Sequence, residues 1–156
     1  RRTAANTLDF LDCVIEEMPF PIQRVQTDRG LEFFAEKVQK KMMEYGIKFR
    51  PNKPGSPHLN GKVERSQKTD KTEFYATVDI TSENLQDQLA EWQHYYNWLR
   101  PHSALKGKTP MERYFELSEE TPFSDEVQNQ YNPSDERIQN ANYKVDLEIA
   151  KLKRSL

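Results

Sequence analysis

The spacing of apolar residues in the first third of the chain predicts a helix, a strand, a second helix and a second strand. Helices are predicted over residues 3–17 and 34–45, because apolar side chains recur there every three or four positions. Short strands are predicted around Ile22 and Val25 and over residues 47–50, where apolar and basic side chains alternate. Two strands separated by one helix predict a parallel pair joined by a crossover.

Two longer helices are predicted downstream of the second strand. Ser82 is a candidate N-cap for the first of them, and Pro101 stops it. The apolar stripe of this helix, which we expect to be core, consists of Leu85, Leu89, Trp92, Tyr96 and Leu99. Ser134 opens the last helix, and its apolar side is formed by Ile138, Ala141, Val145, Ile149 and Leu152. We expect this last helix to pack on the core or on a second subunit.

Breaks in the pattern predict the domain organisation. The helical spacing weakens after Pro110, and turn-forming residues follow as far as Pro133. We therefore predict one domain over residues 1–116, a linker over residues 117–133 and a C-terminal amphipathic helix over residues 134–156.

Two carboxylates stand in contexts that predict a metal site. Asp28 ends the first predicted strand, at the edge of a sheet where ligands gather in α/β proteins. Glu64 follows an irregular loop over residues 51–58 and lies on a helix predicted from Asn60 onward. Each residue alone has an ordinary interpretation, a turn former for Asp28 and a solvated ion pair for Glu64. The prediction depends on the two occurring together.

Basic residues surround the second carboxylate. The net charge of the whole chain is −2, yet residues 37–71 hold ten basic residues and only three acidic ones. Such a local excess is typical of a surface that binds phosphates. Helical spacing predicts one shared face for Asn60, Glu64, Lys68 and Lys71. The candidate phosphate-binding residues are Asn60, Lys62, Arg65, Lys68 and Lys71.

The remaining composition narrows the class of protein. Hydrophobic residues make up 35% of the chain and apolar runs are short, so we expect no membrane span. Cys13 is the single cysteine, which excludes an internal disulfide and a cysteine-based zinc site and suggests a reducing cytoplasm. His94 and His102, like the aromatic residues of the long helix, are interpreted as structural.

Four segments occur in an order that resembles a known family. They are Thr27-Asp28-Arg29-Gly30-Leu31-Glu32-Phe33, Asn60-Gly61-Lys62-Val63-Glu64-Arg65, Tyr96-Asn97-Trp98-Leu99-Arg100-Pro101-His102 and Thr109-Pro110-Met111-Glu112. Together they resemble the integrase catalytic core of bacterial insertion-sequence transposases, which are relatives of retroviral integrases. The resemblance covers about residues 1–116.

The resemblance implies an α/β fold of the RNase H-like type, with an Asp, Asp, Glu triad that holds two Mg²⁺ ions, for which Mn²⁺ can substitute. Asp28 corresponds to the second acid and Glu64 to the third. The family's first Asp lies on a strand upstream of the first helix predicted here. We therefore expect a truncated core that lacks the first strands, is dominated by helices and carries a C-terminal helical extension.

The implied function is Mg²⁺-dependent cleavage and strand transfer of DNA by a DDE-type transposase, with DNA ends and target DNA as partners. We expect the complete protein to form a homo-oligomer on DNA and to work at the bacterial nucleoid. Because the first Asp is absent, we expect this chain to be inactive by itself. The alternatives are a non-catalytic DNA-binding or assembly module and a nuclease of the same fold that hydrolyses RNA in hybrids, which the quoted segments resemble less.

Overall fold

The computed structural model describes residues 3–53 and 56–155. The chain divides into two compact units. Residues 1–59 and 122–156 form the first unit, and residues 60–121 form the second unit. None of the helices in the described ranges has the length and apolar composition that a membrane span requires.

Helices dominate the described residues, and the one sheet there has two strands. In chain order, the elements of the first unit begin with α1 (Ala4–Glu17), β1 (Arg24–Thr27), α2 (Glu36–Glu44) and β2 (Lys48–Pro51). The second unit contains α3 (Gly61–Thr69), α4 (Leu85–His94) and α5 (Pro110–Leu117). The chain then returns to the first unit with α6 (Ser124–Asn129) and α7 (Pro133–Arg154).

The predicted parallel strand pair is confirmed. β1 pairs with β2 in parallel, with Arg24 opposite Lys48 and Thr27 opposite Pro51. The helix between the strands ends at Glu44, and the chain then turns toward β2 at Gly46, whose φ of +66° is a left-handed conformation that glycine adopts without steric cost. Pro51 belongs to β2, so the irregular loop begins one residue later than expected. The middle of that loop, residues 54 and 55, lies outside the described residues.

The core of the first unit forms where α1 and α2 pack beside the sheet. Its fully buried side chains include Val38 and Met42 of α2 and Phe49 of β2, and Leu11 of α1 joins them. The rings of Phe34 and Phe49 meet edge to face, with centroids 5.3 Å apart. The helix predicted over residues 3–17 is confirmed as α1, which Thr3 caps through its side chain.

The C-terminal helix α7 also packs on this core, but on a different side from the one predicted. Tyr143 and Leu147 contact the core, and the Tyr143 ring stands edge-on to Phe49 at 6.2 Å. Glu136, which is 4% exposed, receives two hydrogen bonds of 2.7 Å from Arg50 of β2. Of the two roles predicted for the apolar side, packing on the core is wrong, because Ile138, Val145, Ile149 and Leu152 are exposed, whereas packing on a second subunit stays a prediction. An aromatic contact and a bidentate ion pair orient the helix instead.

The region between residues 117 and 133 contains regular structure. α5 ends there at Leu117, a 3₁₀ turn follows over Ser118–Glu120, and α6 buries Val127. α7 begins at Pro133, with the Asn132 side chain accepting hydrogen bonds from the first turn. The division into a core, a linker and a terminal helix stays a prediction.

In the second unit, α3 and α4 each continue into a π-helical turn, over Asp70–Phe74 and Tyr95–Leu99. α4 starts at Leu85 with Asn84 as its N-cap, so the predicted cap at Ser82 was two residues early. The predicted core stripe of this helix is only half-buried, and Leu99 is 63% exposed. A π turn changes the angular spacing of the residues within it, which breaks a stripe extrapolated at 3.6 residues per turn.

The ion pair between Arg50 and Glu136 predicts a clear stability effect. We expect Arg50→Met to lower the free energy of unfolding by about 2–4 kcal/mol, because it leaves a buried carboxylate without a partner. Urea unfolding followed by far-UV circular dichroism measures the change. A second substitution, Glu136→Leu, should restore part of the loss.

Lys40→Met is the matched control for this prediction. Lys40 lies 4.0 Å from Glu36, and both side chains are largely exposed, so we expect a change below about 0.5 kcal/mol. Equal stability of the Arg50→Met and Lys40→Met variants would contradict a structural role for the buried pair.

Candidate catalytic and nucleic-acid-binding residues

Asp28 is the first residue after β1, at the edge where the parallel strands end. Its side chain is exposed, and its Oδ1 atom accepts a hydrogen bond of 3.1 Å from the backbone N–H of Gly30. This local bond turns the chain out of the strand. The carboxylate thus lies at the place that the sequence predicts, on the carboxyl-terminal edge of the sheet.

Asn52 braces this edge, and sequence reasoning missed it. Asn52 is 7% exposed and directly follows β2. Its backbone N–H donates to the Thr27 carbonyl at 2.9 Å, and its Oδ1 atom accepts from Gln26 Nε2 at 2.6 Å. A buried amide with several partners fixes the strand ends rigidly. The available signal was its position directly after a strand, equivalent to the position of Asp28.

Arg29, the residue after Asp28, also stabilises this edge of the sheet. Its Nε atom donates to the Asn52 carbonyl at 3.0 Å, which joins the loop after β1 to the loop after β2. Its Nη1 atom is buried without a hydrogen-bond partner in the described part of the chain. The bracing holds the backbone on both sides of Asp28.

Glu64 lies in the first turn of α3 in the second unit, whereas Asp28 belongs to the first unit. The Glu64 side chain is exposed, and Asn60 occupies the N-cap position of the same helix. Within residues 3–53 and 56–155, Glu64 forms no ion pair. The ordinary interpretation of this residue as half of a surface salt bridge is therefore not supported.

The basic residues around Glu64 differ from those of the first unit in their pairing. Several bases between residues 37 and 53 are paired with acids: Lys40 with Glu36, Lys41 with Asp12 and Arg50 with Glu136. By contrast, the exposed bases of α3 and its π turn form no ion pair with any described residue. These are Lys62, Arg65, Lys68 and Lys71. Exposed basic charge that can meet phosphates is thus concentrated on α3 and its π turn, although Lys37 and Lys53 of the first unit are also exposed and form no ion pair with a described residue.

The segment around Arg100 connects the elements of the second unit. Arg100 donates two hydrogen bonds to the Glu73 carboxylate, of 2.7 Å from Nε and 2.5 Å from Nη2. The His102 ring packs on Tyr96 with centroids 4.6 Å apart. These contacts join the π turn after α3 to the end of α4. The segment thus has the structural role that the sequence predicts for His102.

The loop after this segment returns to α5 through a well-defined cap. Thr109 accepts a hydrogen bond from the Glu112 N–H, and the Glu112 side chain accepts one from the Thr109 N–H. This reciprocal pair is a capping box, and Pro110 occupies the first turn. The quoted segments near residues 96–112 therefore stabilise the unit.

The carboxylates of Asp28 and Glu64 are the type of ligand that a hard divalent cation binds. Asp28 and Glu64 are both exposed, and carboxylate oxygens are the ligands that Mg²⁺ prefers. Within either unit, the described residues contain no group of three or more acidic, histidine or cysteine side chains that could hold a metal. Two of the three acids expected for the triad are thus available as candidate ligands.

Comparison with known families identifies a match in the middle of the chain. Residues 45–110 match the family model for an integrase core domain. The matched range contains Glu64 and Arg100, whereas Asp28 lies outside it. The match supports an integrase or transposase catalytic core of the RNase H-like superfamily and confirms the resemblance seen in the sequence. No curated protein matches the chain.

The matched family has general properties that bear on this chain. An integrase core domain implies a family of polynucleotidyl transferases that act on DNA and generally depend on a divalent metal. The helix-dominated architecture with a small parallel sheet is compatible with part of such a core.

The pair formed by Arg100 and Glu73 predicts a pH dependence of stability. The hydrogen bonds from Arg100 hold the pKa of Glu73 below its usual value of 4.5. The pair therefore contributes fully above that value, and the contribution is lost as the pH falls through the lower folded-state pKa. Because the Glu73 side chain is partly exposed and its charge is screened by solvent, we expect Glu73→Gln to destabilise the chain at neutral pH by less than about 1 kcal/mol. The variant should also lose less stability than the unsubstituted chain as the pH falls.

Melting temperatures of the two proteins between about pH 7 and pH 3 measure this difference. Glu91→Gln, which alters an exposed carboxyl group on α4, is the matched control and should follow the unsubstituted chain. Parallel curves for the unsubstituted chain and the Glu73→Gln variant would contradict the prediction.

Proposed function

We propose that this chain is part of the catalytic core of a DNA transposase or integrase, which cleaves and joins DNA phosphodiesters with Mg²⁺. The observation that carries the proposal is the integrase core match over residues 45–110. Within that range, Glu64 is exposed on a helix whose basic side chains are free of ion pairs among the described residues. In this proposal residues 1–116 are the partial core, 117–133 connect it and 134–156 form a terminal helix.

Asp28 and Glu64 are the proposed metal ligands and catalytic residues. Mg²⁺, or Mn²⁺ in its place, would activate an attacking oxygen and stabilise the leaving oxygen of a phosphodiester. Asp28 would present its carboxylate at the edge of the sheet, where hydrogen bonds made by Asn52 and Arg29 hold the backbone rigid. The part of Glu64 is to present its carboxylate from the first turn of α3. Rigid placement of such groups limits the reorganisation that the reaction requires.

DNA binding is assigned to α3 and the residues around it. Lys62, Arg65, Lys68 and Lys71 would contact backbone phosphates, and Asn60 would add a polar contact at the helix entrance. Phosphate contacts supply affinity and position without reading sequence. The proposal therefore predicts binding that is insensitive to sequence and sensitive to salt.

Exchanging Arg65 and Lys68 for glutamine tests this assignment. We expect the double variant to bind duplex DNA more weakly and to lower the slope of log affinity against log salt by about two units, since each lost phosphate contact removes about 0.9. Fluorescence anisotropy with labelled DNA, in a chelator and over a series of salt concentrations, measures both quantities.

The matched control exchanges Arg137 and Lys144, exposed basic residues of α7, for glutamine. It removes the same two residue types and the same net charge, so it separates a located site from an effect of overall charge. An equal loss of affinity in both double variants would contradict a binding site on α3.

The two acids also predict the catalytic behaviour of the chain. We propose that the 156-residue chain alone does not cleave DNA, because two carboxylates hold at most one ion well where the reaction uses two. It should still bind a Mn²⁺ ion weakly, and Asp28→Asn or Glu64→Gln should reduce that binding in paramagnetic relaxation measurements. Nicking by the purified chain that requires Mg²⁺ and disappears in Glu64→Gln would contradict the predicted inactivity.

A non-catalytic DNA-binding or assembly module is the second candidate. The observation that favours it is that the bases of α3 and its π turn are exposed and form no ion pair with Glu64 or any other described acid. Metal dependence separates the two functions, because an enzyme fragment supplemented with its missing strands should regain Mg²⁺-dependent cleavage, whereas a binding module binds DNA without metal and loses affinity steeply with salt. In either case the proposed partners are element ends and target DNA, engaged by a homo-oligomer at the bacterial nucleoid.

A further inference from the structure

Helix α7 carries two stripes of residues on opposite sides, each with alternating spacings of four and three. The inner stripe faces the core of the first unit and consists of Glu136, Asn140, Tyr143, Leu147 and Ala150. The outer stripe faces away from that core and consists of Ile138, Asn142, Val145, Ile149 and Leu152. Because the inner stripe is anchored by the Arg50 ion pair and by Tyr143, the helix cannot turn its outer stripe inward.

The outer stripe is an apolar surface that the described chain does not cover. Its four apolar side chains are between 45% and 65% exposed. Alternation of four and three is the heptad pattern of a coiled coil, with apolar residues at the positions called a and d. In that register Ile138, Val145 and Leu152 occupy d, while Asn142 and Ile149 occupy a. The inner stripe falls at b and f, on the far side of the helix from such a seam.

Two features indicate that the outer stripe binds a second copy of this chain. An asparagine at a single a position pairs best with the same asparagine of a parallel, in-register partner. Glu148 lies at position g and Lys153 at the following e position, which face each other across a parallel coiled coil. Identical helices therefore place opposite charges together on both sides of the seam.

We propose that α7 is a self-association surface, and that it forms a parallel two-stranded coiled coil with α7 of a second copy through Ile138, Asn142, Val145, Ile149 and Leu152. The seam has only about two heptads, which is short for an isolated coiled coil. Here the helix is already folded and held on its own core, so association does not bear the cost of ordering it. A dimer of micromolar affinity is the expected result. The inference does not depend on catalysis or on DNA binding.

Sedimentation equilibrium of the complete 156-residue chain tests the surface. Ile149→Asp should raise the dissociation constant at least about tenfold, equivalent to a loss of about 1.4 kcal/mol, because it places a charge in the seam. Phe10→Asp is the matched control, since Phe10 is an exposed apolar residue of α1, and it should leave dimerisation unchanged. A chain that stays monomeric at about 100 μM, or an Ile149→Asp variant that dimerises normally, overturns the proposal.

Cysteine cross-linking tests the orientation in a Cys13→Ser background, which removes the exposed native thiol. Ile138→Cys and Leu152→Cys lie at opposite ends of the seam. A parallel dimer cross-links each single variant with itself under mild oxidation. Cross-linking only in a mixture of the two variants means an antiparallel pair and overturns the proposed arrangement.

A charge exchange provides an independent check on the flanking pair. Lys153→Glu should weaken the dimer because it places two acids together, and the double variant Lys153→Glu with Glu148→Lys should restore it. Circular dichroism confirms that the variants are folded, as expected for exposed positions. A double variant as weak as the single one contradicts the parallel pairing of Glu148 with Lys153.

Discussion

The ion pair between Arg50 and Glu136 determines how the first unit is assembled. It joins residues that are far apart in the chain, and Glu136 is almost fully buried where it meets β2. A buried carboxylate must keep a charged partner, so the pair allows only one rotation of α7 about its axis. That rotation places Tyr143 against Phe49 and leaves the more apolar side of the helix exposed. Both the stability of the unit and its capacity for self-association follow from this constraint.

A second constraint positions Asp28. The parallel pairing of β1 and β2 brings the residues after both strands to one edge, and Asn52 then connects them by hydrogen bonds. A parallel pair of four-residue strands is weak alone. The buried amide and Arg29 supply the rigidity that the short strands lack. Asp28 is therefore held by its neighbours in space more than by its own strand.

The second unit uses its polar side chains differently. The Arg100 pair with Glu73 and the capping box at Thr109 hold its helices by local contacts, and Trp92 donates its indole N–H to Asp70. The carboxylates of Glu73, Glu112 and Asp70 thus accept hydrogen bonds that hold the helices of this unit. On α3 the arrangement is reversed, because Glu64 and the bases beside it are exposed and form no ion pairs among the described residues. Such a separation is expected where one set of charges maintains the fold and another meets a ligand.

The sequence by itself determined the local features of this protein. Helical periodicity placed α1 and α2, strand alternation and Gly46 placed β2, and the segments around Asp28, Glu64 and Arg100 indicated the integrase core. These features depend on neighbouring residues, which a single chain displays directly. Only the tertiary structure decided that Asn52 joins the ends of the two strands beside Asp28 and which side of α7 packs inward, because both depend on partners distant in sequence. It also showed the π turn that exposes Leu99, since periodicity cannot report a change in helix type.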